Sequence, residues 1–226
     1  MAYLLHIEST STVCSVAISK DTELLSLKEL NNGYTHAENL HVFIEEVLNT
    51  SNLKASDINA VSVSSGPGSY TGLRIGFSTA KGLAYALNIP LITIDTLKIL
   101  CVNALQHIKP DAALIPLMDA RRMEVYCAAY SNSLNELLPV QALVLNEETI
   151  NIFNLNKPLY FFGDGMPKAQ ELLHQLPSTH FLESISASAS CMIAMAFEKY
   201  MAKDFADIAY SEPNYLKDFF FHTAKK

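Results

Sequence analysis

Tyr3-Leu4-Leu5-His6-Ile7-Glu8 and Ala113-Leu114-Ile115-Pro116-Leu117-Met118-Asp119 are one pattern written twice, an apolar run that closes on an acid. In both places a second apolar run follows after four or five residues, Val13–Ile18 in the first copy and Val125–Tyr130 in the second. A polar turn leads each to a third run: Lys20-Asp21-Thr22 before Glu23–Leu30, and Ser131-Asn132-Ser133 before Leu137–Leu145. Short apolar runs joined by polar turns read as antiparallel meanders. The first copy continues with helical spacing over Thr35–Leu48, a strand at Val61–Val63, a long helix over Thr71–Leu87 stopped by Asn88-Ile89-Pro90, and a buried strand at Leu91–Ile94. The second continues with a helix at Glu147–Asn154, a strand at Leu159–Phe162 and a helix at Pro167–Leu176. Two such copies predict an α/β chain of two similar lobes, residues 1–103 and 104–226, with a cleft between them. Ser184–Ser190 reads as caps leading into a helix that ends at Tyr200. The aromatic tail, with Tyr215 and Phe219-Phe220-Phe221, is expected to pack back on the first lobe.

Composition narrows the function. The 226 residues are 50% hydrophobic, which excludes a disordered chain. Sixteen Lys and Arg stand against twenty-three Asp and Glu, a net charge of −7. A protein that grips tRNA by itself normally carries a basic surface, so this one is not expected to. Cys14, Cys101, Cys127 and Cys191 lie far apart with no CxxC, which speaks against a zinc site or a disulfide scaffold and for reduced thiols in a cytoplasmic protein. No signal-peptide pattern opens the chain, and no apolar stretch reaches the ~20 residues that span a bilayer, so no membrane contact is expected.

Five of the eight glycines fall between Gly66 and Gly82. A strand, the turn Gly66-Pro67-Gly68-Ser69-Tyr70-Thr71-Gly72 and then a helix is a layout that can offer backbone N–H groups to an anion. It is neither a P-loop nor a nucleophile elbow, and its Gly66-x-Gly68-x3-Gly72 spacing is one residue too long for a dinucleotide fingerprint ending at Asp95. The helix is unusual in another way. Leu73, Gly76, Phe77, Ala80, Leu83, Ala84 and Leu87 share one face, and Ile75, Thr79, Gly82 and Ala86 share a second. Only Arg74, Ser78, Lys81 and Tyr85 form a polar quadrant, so the helix reads as buried on two sides. One side is its own sheet; the other needs a second helix, either Thr35–Leu48 of the same chain or another subunit. Arg74 in the first turn opposes the helix dipole and is expected to meet a carboxylate or a phosphate.

Other candidates are less specific. His36 and His41 are five apart, about 140° round a helix, which is wrong for a shared metal. Glu8 and Asp119, acids at the tips of equivalent strands, either hold a divalent cation with phosphates or cap their own turns.

The segment Ser65–Gly76 with Ala80-Lys81-Gly82-Leu83-Ala84 resembles the signature of the bacterial TsaB (YeaZ) family. Ile7-Glu8-Ser9-Thr10, Asp119-Ala120-Arg121-Arg122 with Glu124-Val125-Tyr126, and Glu212-Pro213-Asn214-Tyr215-Leu216 resemble further motifs of that family, in order along nearly the whole chain. The resemblance implies two ribonuclease-H-like lobes of the ASKHA (actin-like/Hsp70-like) fold. It implies a non-catalytic accessory subunit that dimerises with and activates TsaD, the paralogue that transfers threonylcarbamoyl to the adenosine beside the anticodon of tRNAs reading ANN codons. The ATPase TsaE would join the complex, a homodimer is another possible assembly, and tRNA is met only through the complex. ATP and Mg would be used by the complex, with no cofactor or metal assigned to this chain. The implied partner surface lies on the first two helices, at His36, Asn39, Leu40, Phe43 and Val47, and at Leu73, Gly76, Phe77, Ala80, Lys81 and Ala84. The glycine turn contributes Gly66, Gly68, Ser69, Thr71, Gly72 and Arg74. Leu40 stands where the paralogue's His-x3-His pair has its second His, and Glu8-Ser9-Thr10-Ser11-Thr12 lacks the glycines of an ATP-binding hairpin. The competing reading is an ATP- and Mg-dependent ASKHA enzyme using Glu8, Asp119 and the Gly66–Gly72 turn.

Overall fold

A computed structural model describes residues 1–33 and 36–217. The expected helix start at Thr35 and the Phe219-Phe220-Phe221 cluster lie outside the described residues. Two five-stranded sheets form the frame. The first contains β1 (Tyr3–Glu8), β2 (Val13–Lys20), β3 (Glu23–Asn31), β4 (Ala60–Ser64) and β5 (Leu91–Ile94), ordered β3-β2-β1-β4-β5. The second contains β6 (Ala113–Asp119), β7 (Glu124–Tyr130), β8 (Glu136–Val144), β9 (Leu159–Phe162) and β10 (Thr179–Leu182), ordered β10-β9-β6-β7-β8. Each sheet is an antiparallel meander extended by two parallel strands, so the duplicated pattern in the sequence is a duplicated topology. This is the ASKHA arrangement that the resemblance implies.

Side-chain alternation decides what each face covers. On β1, Leu5 and Ile7 point to the core beneath α1 (His36–Thr50) and α2 (Tyr70–Leu87), with Leu40, Phe43, Val47, Phe77, Ala80 and Ala84. Leu4 points the other way, into a core that both lobes share. That shared core holds two helices that trade places. α3 (Thr96–Ala104) leaves the first sheet and lies on β6, while α5 (Ile193–Ala202) comes back from the second half and lies on β5 and β1. The expected division after residue 103 therefore falls inside α3. The outer face of the second sheet is covered by α4 (Met166–Leu173) and a 3-10 turn, Thr149–Phe153, where the sequence reading expected a full helix.

α3 is the element the sequence reading did not place. Asp95, read there as a strand end, is its N-cap, accepting a hydrogen bond from Lys98 N at 3.0 Å. In the same way Ser184–Ser190 is mostly irregular; the helix starts at Ile193 after a 3-10 turn, Ala189–Met192, that Ser188 caps. Among the described residues no helix is long and apolar enough to cross a membrane.

On the inner face of β1, after Leu4, stands His6, fully buried. Ser19 donates its hydroxyl to the Asp21 carbonyl at 3.2 Å, which leaves its oxygen to accept from His6 Nε2 at 2.9 Å. His6 Nδ1 then accepts from the Ser62 hydroxyl at 2.7 Å. The pair of serines fixes the neutral ring, and burial pushes its pKa down to about 3. Because the folded pKa lies below the unfolded value, the neutral ring's contribution is complete above the unfolded pKa of about 6.5 and is lost as pH falls toward 3. The expected loss is about 1.4 kcal/mol per pH unit in that window. Glu8, whose pKa burial raises, opposes this, so the measurement is a difference: urea unfolding at pH 6.5, 5.5 and 4.5 of the natural chain and of His6→Gln. Parallel pH dependence in the two chains overturns the assignment.

Candidate functional site at the first hairpin and the glycine turn

The loop from β1 to β2, Ser9-Thr10-Ser11-Thr12, sits under the start of α2. Gly68, Gly72 and Gly76 are spaced by four and make the room. A Cβ on Gly68 would lie 2.6 Å from the Thr10 carbonyl oxygen, one on Gly72 would collide with the Ser9 carbonyl oxygen, and one on Gly76 would collide with Ser9 Oγ. Hydrogen bonds fasten the contact: Ser9 Oγ donates to Gly72 O at 2.9 Å, and Ser69 N donates to Thr10 O at 2.7 Å. Ser69 also caps the helix, accepting from Gly72 N at 3.3 Å. From the α1 side, His36 Nε2 donates to the Ser11 carbonyl at 2.8 Å. His36 is thus a clamp between α1 and the hairpin.

Glu8 closes the turn from within. It is fully buried, and its Oε1 accepts from both Thr10 N at 2.6 Å and the Thr10 hydroxyl. Burial raises its pKa, with the Thr10 hydrogen bonds pulling in the opposite direction. Asp119 is placed quite differently. It is exposed at the end of β6, ion-paired with Lys168, and accepts from Arg121 N at 3.2 Å. Asp119 N in turn donates to Asp164 Oδ1 at 2.9 Å, and burial raises the pKa of Asp164. The two strand-tip acids are each tied into their own turn. Among the described residues no group of three or more His, Cys, Asp or Glu is gathered as a metal ion requires.

A phosphate cradle needs outward-facing donors. Here the Thr10 N–H is spent on Glu8, Val13 N donates to Ser11 Oγ at 3.2 Å, and Ser69 N is spent on Thr10. The glycine turn is occupied on its other side as well. Gly66 N donates to Thr96 Oγ1 at 3.1 Å, Thr96 N donates to Gly66 O, and Asn214 N donates to Ser65 O at 2.6 Å. The amides of Thr10, Val13, Gly66 and Ser69 are thus engaged inside the protein rather than offered to a phosphate. A cavity of about 630 Å³ does lie between the lobes beside them, lined by Thr10, Gly68, Tyr70, Asp119, Arg121 and Tyr126 among others.

The partner-surface residues named from the sequence divide sharply. His36, Leu40, Phe43, Val47, Leu73, Gly76, Phe77, Ala80 and Ala84 are buried within this chain, against the sheet or the hairpin. Their small or apolar character is used within the fold. Lys81 is half-buried and donates to the carbonyls of Ala209 and Ser211 at 3.2 and 2.9 Å; Asn39 is half-buried. The outward face of α2 consists of Thr71, Arg74, Ser78, Gly82, Tyr85 and Ala86, and α1 adds His41 and Val42. Arg74 meets no carboxylate among the described residues; its guanidinium lies over the Tyr70 ring at 4.2 Å. The second neighbour that the glycine-rich helix needs is partly the chain's own. Ala206 and Ile208, in the segment after α5, pack on the first lobe's core, as do Ile75 and Leu83.

Three of the four thiols, Cys14, Cys101 and Cys127, are buried and Cys191 is half-buried. Cys14 and Cys191 are pushed up to about 11 and Cys127 to about 12, all chiefly by burial.

With this geometry in place, three comparisons bear on the chain. A family model described as TsaD: tRNA N6-adenosine threonylcarbamoyltransferase matches residues 32–224. The tRNA threonylcarbamoyladenosine biosynthesis protein TsaB of Bacillus subtilis (strain 168) is 24% identical over 217 residues, 95% of this chain and 93% of that one. The protein of the same name from Buchnera aphidicola subsp. Schizaphis graminum is 32% identical over 170 residues, 73% of this chain and 80% of that one. Among solved structures, YeaZ from Pseudomonas aeruginosa shares the fold with a TM-score of 0.81 at 24% identity, covering 96% of this chain and 100% of that one.

The three glycines of α2 that can be compared directly predict a graded series. Gly82 has no heavy atom within 4 Å of its would-be Cβ, so Gly82→Ala is expected to stabilise by about 0.5–1 kcal/mol. Gly76→Ala meets a serine hydroxyl that can rotate away at the loss of one hydrogen bond, about 1 kcal/mol or more net. Gly72→Ala meets backbone and is expected to be the most damaging, about 2 kcal/mol or more. Thermal melts that do not rank Gly82→Ala above the natural chain and Gly72→Ala last contradict the seating described here.

Proposed function

The chain belongs to the TsaB (YeaZ) family of tRNA threonylcarbamoyladenosine biosynthesis proteins, and we propose on that premise that it acts as a non-catalytic accessory subunit. It docks on a TsaD-type threonylcarbamoyltransferase, its paralogue in the same family, and supports transfer of the threonylcarbamoyl group to the adenosine next to the anticodon of tRNAs reading ANN codons. A TsaE-type ATPase then completes the assembly, and tRNA is met through the complex, in keeping with a net charge of −7 on this chain.

The observation that carries the reading is the inward closure of the first hairpin. Thr10 is bound by Glu8 and Ser69, Ser9 is held under Gly72, and the Ser11 carbonyl is taken by His36. Leu40, where the paralogue's second metal-binding His would stand, is part of the core. These hairpin groups serve the fold, which supports a non-catalytic role. What faces outward is the α1–α2 layer, with Val42 on α1 and Gly82, Tyr85 and Ala86 on α2 exposed. A helix from a partner of the same fold can approach closely over Gly82 and Ala86, because neither carries a side chain beyond Cβ.

Gly82→Arg and Ala86→Arg place a long cation on that face without touching the core. Neither is expected to lower the melting temperature by more than about 2 °C, as surface changes usually do. Affinity for the paralogue from the same organism, measured by calorimetry, is expected to fall by roughly 100-fold or more, as at a central interface position. Unchanged affinity in both variants overturns the docking surface. Hydrolysis of ATP with Mg by the isolated chain overturns the non-catalytic role in favour of the enzyme reading.

A further inference from the structure

After α5 the chain does not stay with the second lobe. Ala206 N donates to Leu91 O at 2.8 Å at the edge of the first sheet, and Lys81 holds the carbonyls of Ala209 and Ser211. The segment then reaches the glycine turn, where Asn214 N donates to Ser65 O at 2.6 Å and the Tyr215 ring lies 5.2 Å from that of Tyr70. Two residues further, Lys217 forms an ion pair with Glu124 on β7, in the second lobe. Residues 214–217 therefore bridge the two lobes across the mouth of the interlobe cavity, and Asn214, Tyr215, Leu216 and Lys217 form one of its walls.

We propose that Glu212–Lys217 is a latch that closes this cavity and can release while both lobes stay folded. It gives a role to the Glu212-Pro213-Asn214-Tyr215-Leu216 motif, and it does not rest on the docking reading. The seat is shaped for the segment: Gly66 has φ +103°, and a Cβ there would lie 2.9 Å from Asn214 O. Among the described residues the attachments are few and wet. Lys217 and Glu124 keep 37% and 19% of their side-chain surface in solvent, and Tyr215 keeps 38% of its surface. Exposed ion pairs and single aromatic contacts contribute little each, which puts the segment at the low-stability end of the molecule. Ala206, by contrast, packs on the first lobe's core, so release stops short of it. Opening uncovers the Pro67–Tyr70 side of the cavity to solutes and to the surface of a partner.

Hydrogen exchange on the full chain tests this. Lys217→Glu sets like charges against Glu124. It is expected to raise amide exchange at Asn214, whose N–H is held by Ser65 O, by roughly tenfold or more, leaving Ser69, Tyr126, β1 and α5 unchanged. Lys217→Arg is expected to keep natural protection, since it preserves the charge pair. Tyr215→Ala, which removes the ring contact with Tyr70 without a charge change, is expected to raise exchange at Asn214 likewise. The latch is overturned if Asn214 of Lys217→Glu exchanges as in the natural chain, or if the rise spreads to Ser69, Tyr126 and the sheets of both lobes.

Discussion

The close approach of the Ser9-Thr10 loop to the start of α2 is the contact on which the arrangement of the first lobe depends. It works only because Gly68, Gly72 and Gly76 recur at a spacing of four and present no Cβ where the loop comes in. Interior glycines cost a helix about 1 kcal/mol each. That cost is offset locally: Leu73 and Phe77, on the same face, are almost fully buried, and side chains of this size contribute about 1.5–3 kcal/mol each. With the loop drawn in, Glu8 is sealed beneath it and Thr10 becomes its hydrogen-bond partner. The buried acid, the bound loop and the notched helix are one unit, and loosening any of them exposes the others.

A second constraint acts between the lobes. α3 and α5 each lie on the sheet of the opposite half, so a single apolar core runs from Leu4 and Ile94 through Leu100 and Met192 to Leu114 and Phe162. Lobes joined only by a linker move freely. Lobes that exchange helices can rotate only by reorganising a packed core, whose side chains interdigitate and resist continuous deformation. The cavities lie at the margin of this core, where backbone turns and the returning C-terminal segment form the walls. Rotation of one half against the other would therefore have to break this packing.

Much of this was legible in the sequence, for physical reasons that also explain what was not. The meanders were readable because apolar runs and polar turns alternate over short distances, and their repetition gave the two-lobed plan. α3 was not read, because Thr96-Leu97-Lys98-Ile99-Leu100-Cys101 follows directly on a buried strand and is apolar almost all round; only the capping Asp95 marks its start. The glycine-notched helix was recognised as buried on two sides, but the partner for its notch was taken to be a helix. It is a strand-to-strand loop from the same lobe. Helical periodicity reports which face is buried and carries no information on what covers it. Arg74 was assigned a carboxylate or phosphate on the strength of the helix dipole, yet an aromatic face one turn away, at Tyr70, supplies the negative electrostatics instead. Glu8 and Asp119 are equivalent by position in the duplicated pattern, but one turn folds inward under glycines and the other outward under Lys168, a difference that the strands themselves do not encode.

Gly82 is where this accounting does not close within the chain. Gly68, Gly72 and Gly76 each admit an atom of the first hairpin, so their conformational cost is recovered in contacts that a larger residue would forbid. Gly82 lies well inside the same helix and carries the same cost, yet a Cβ there would meet nothing within 4 Å. It is not in the left-handed region, and it ends no element. Alanine would serve the isolated fold better at that position. A glycine that the fold does not need, on the exposed side of a helix beside Ala86, has a physical use if another backbone comes to rest there. The proposed docking of a paralogous helix supplies that use, and it places the contact on the face that the first lobe leaves uncovered.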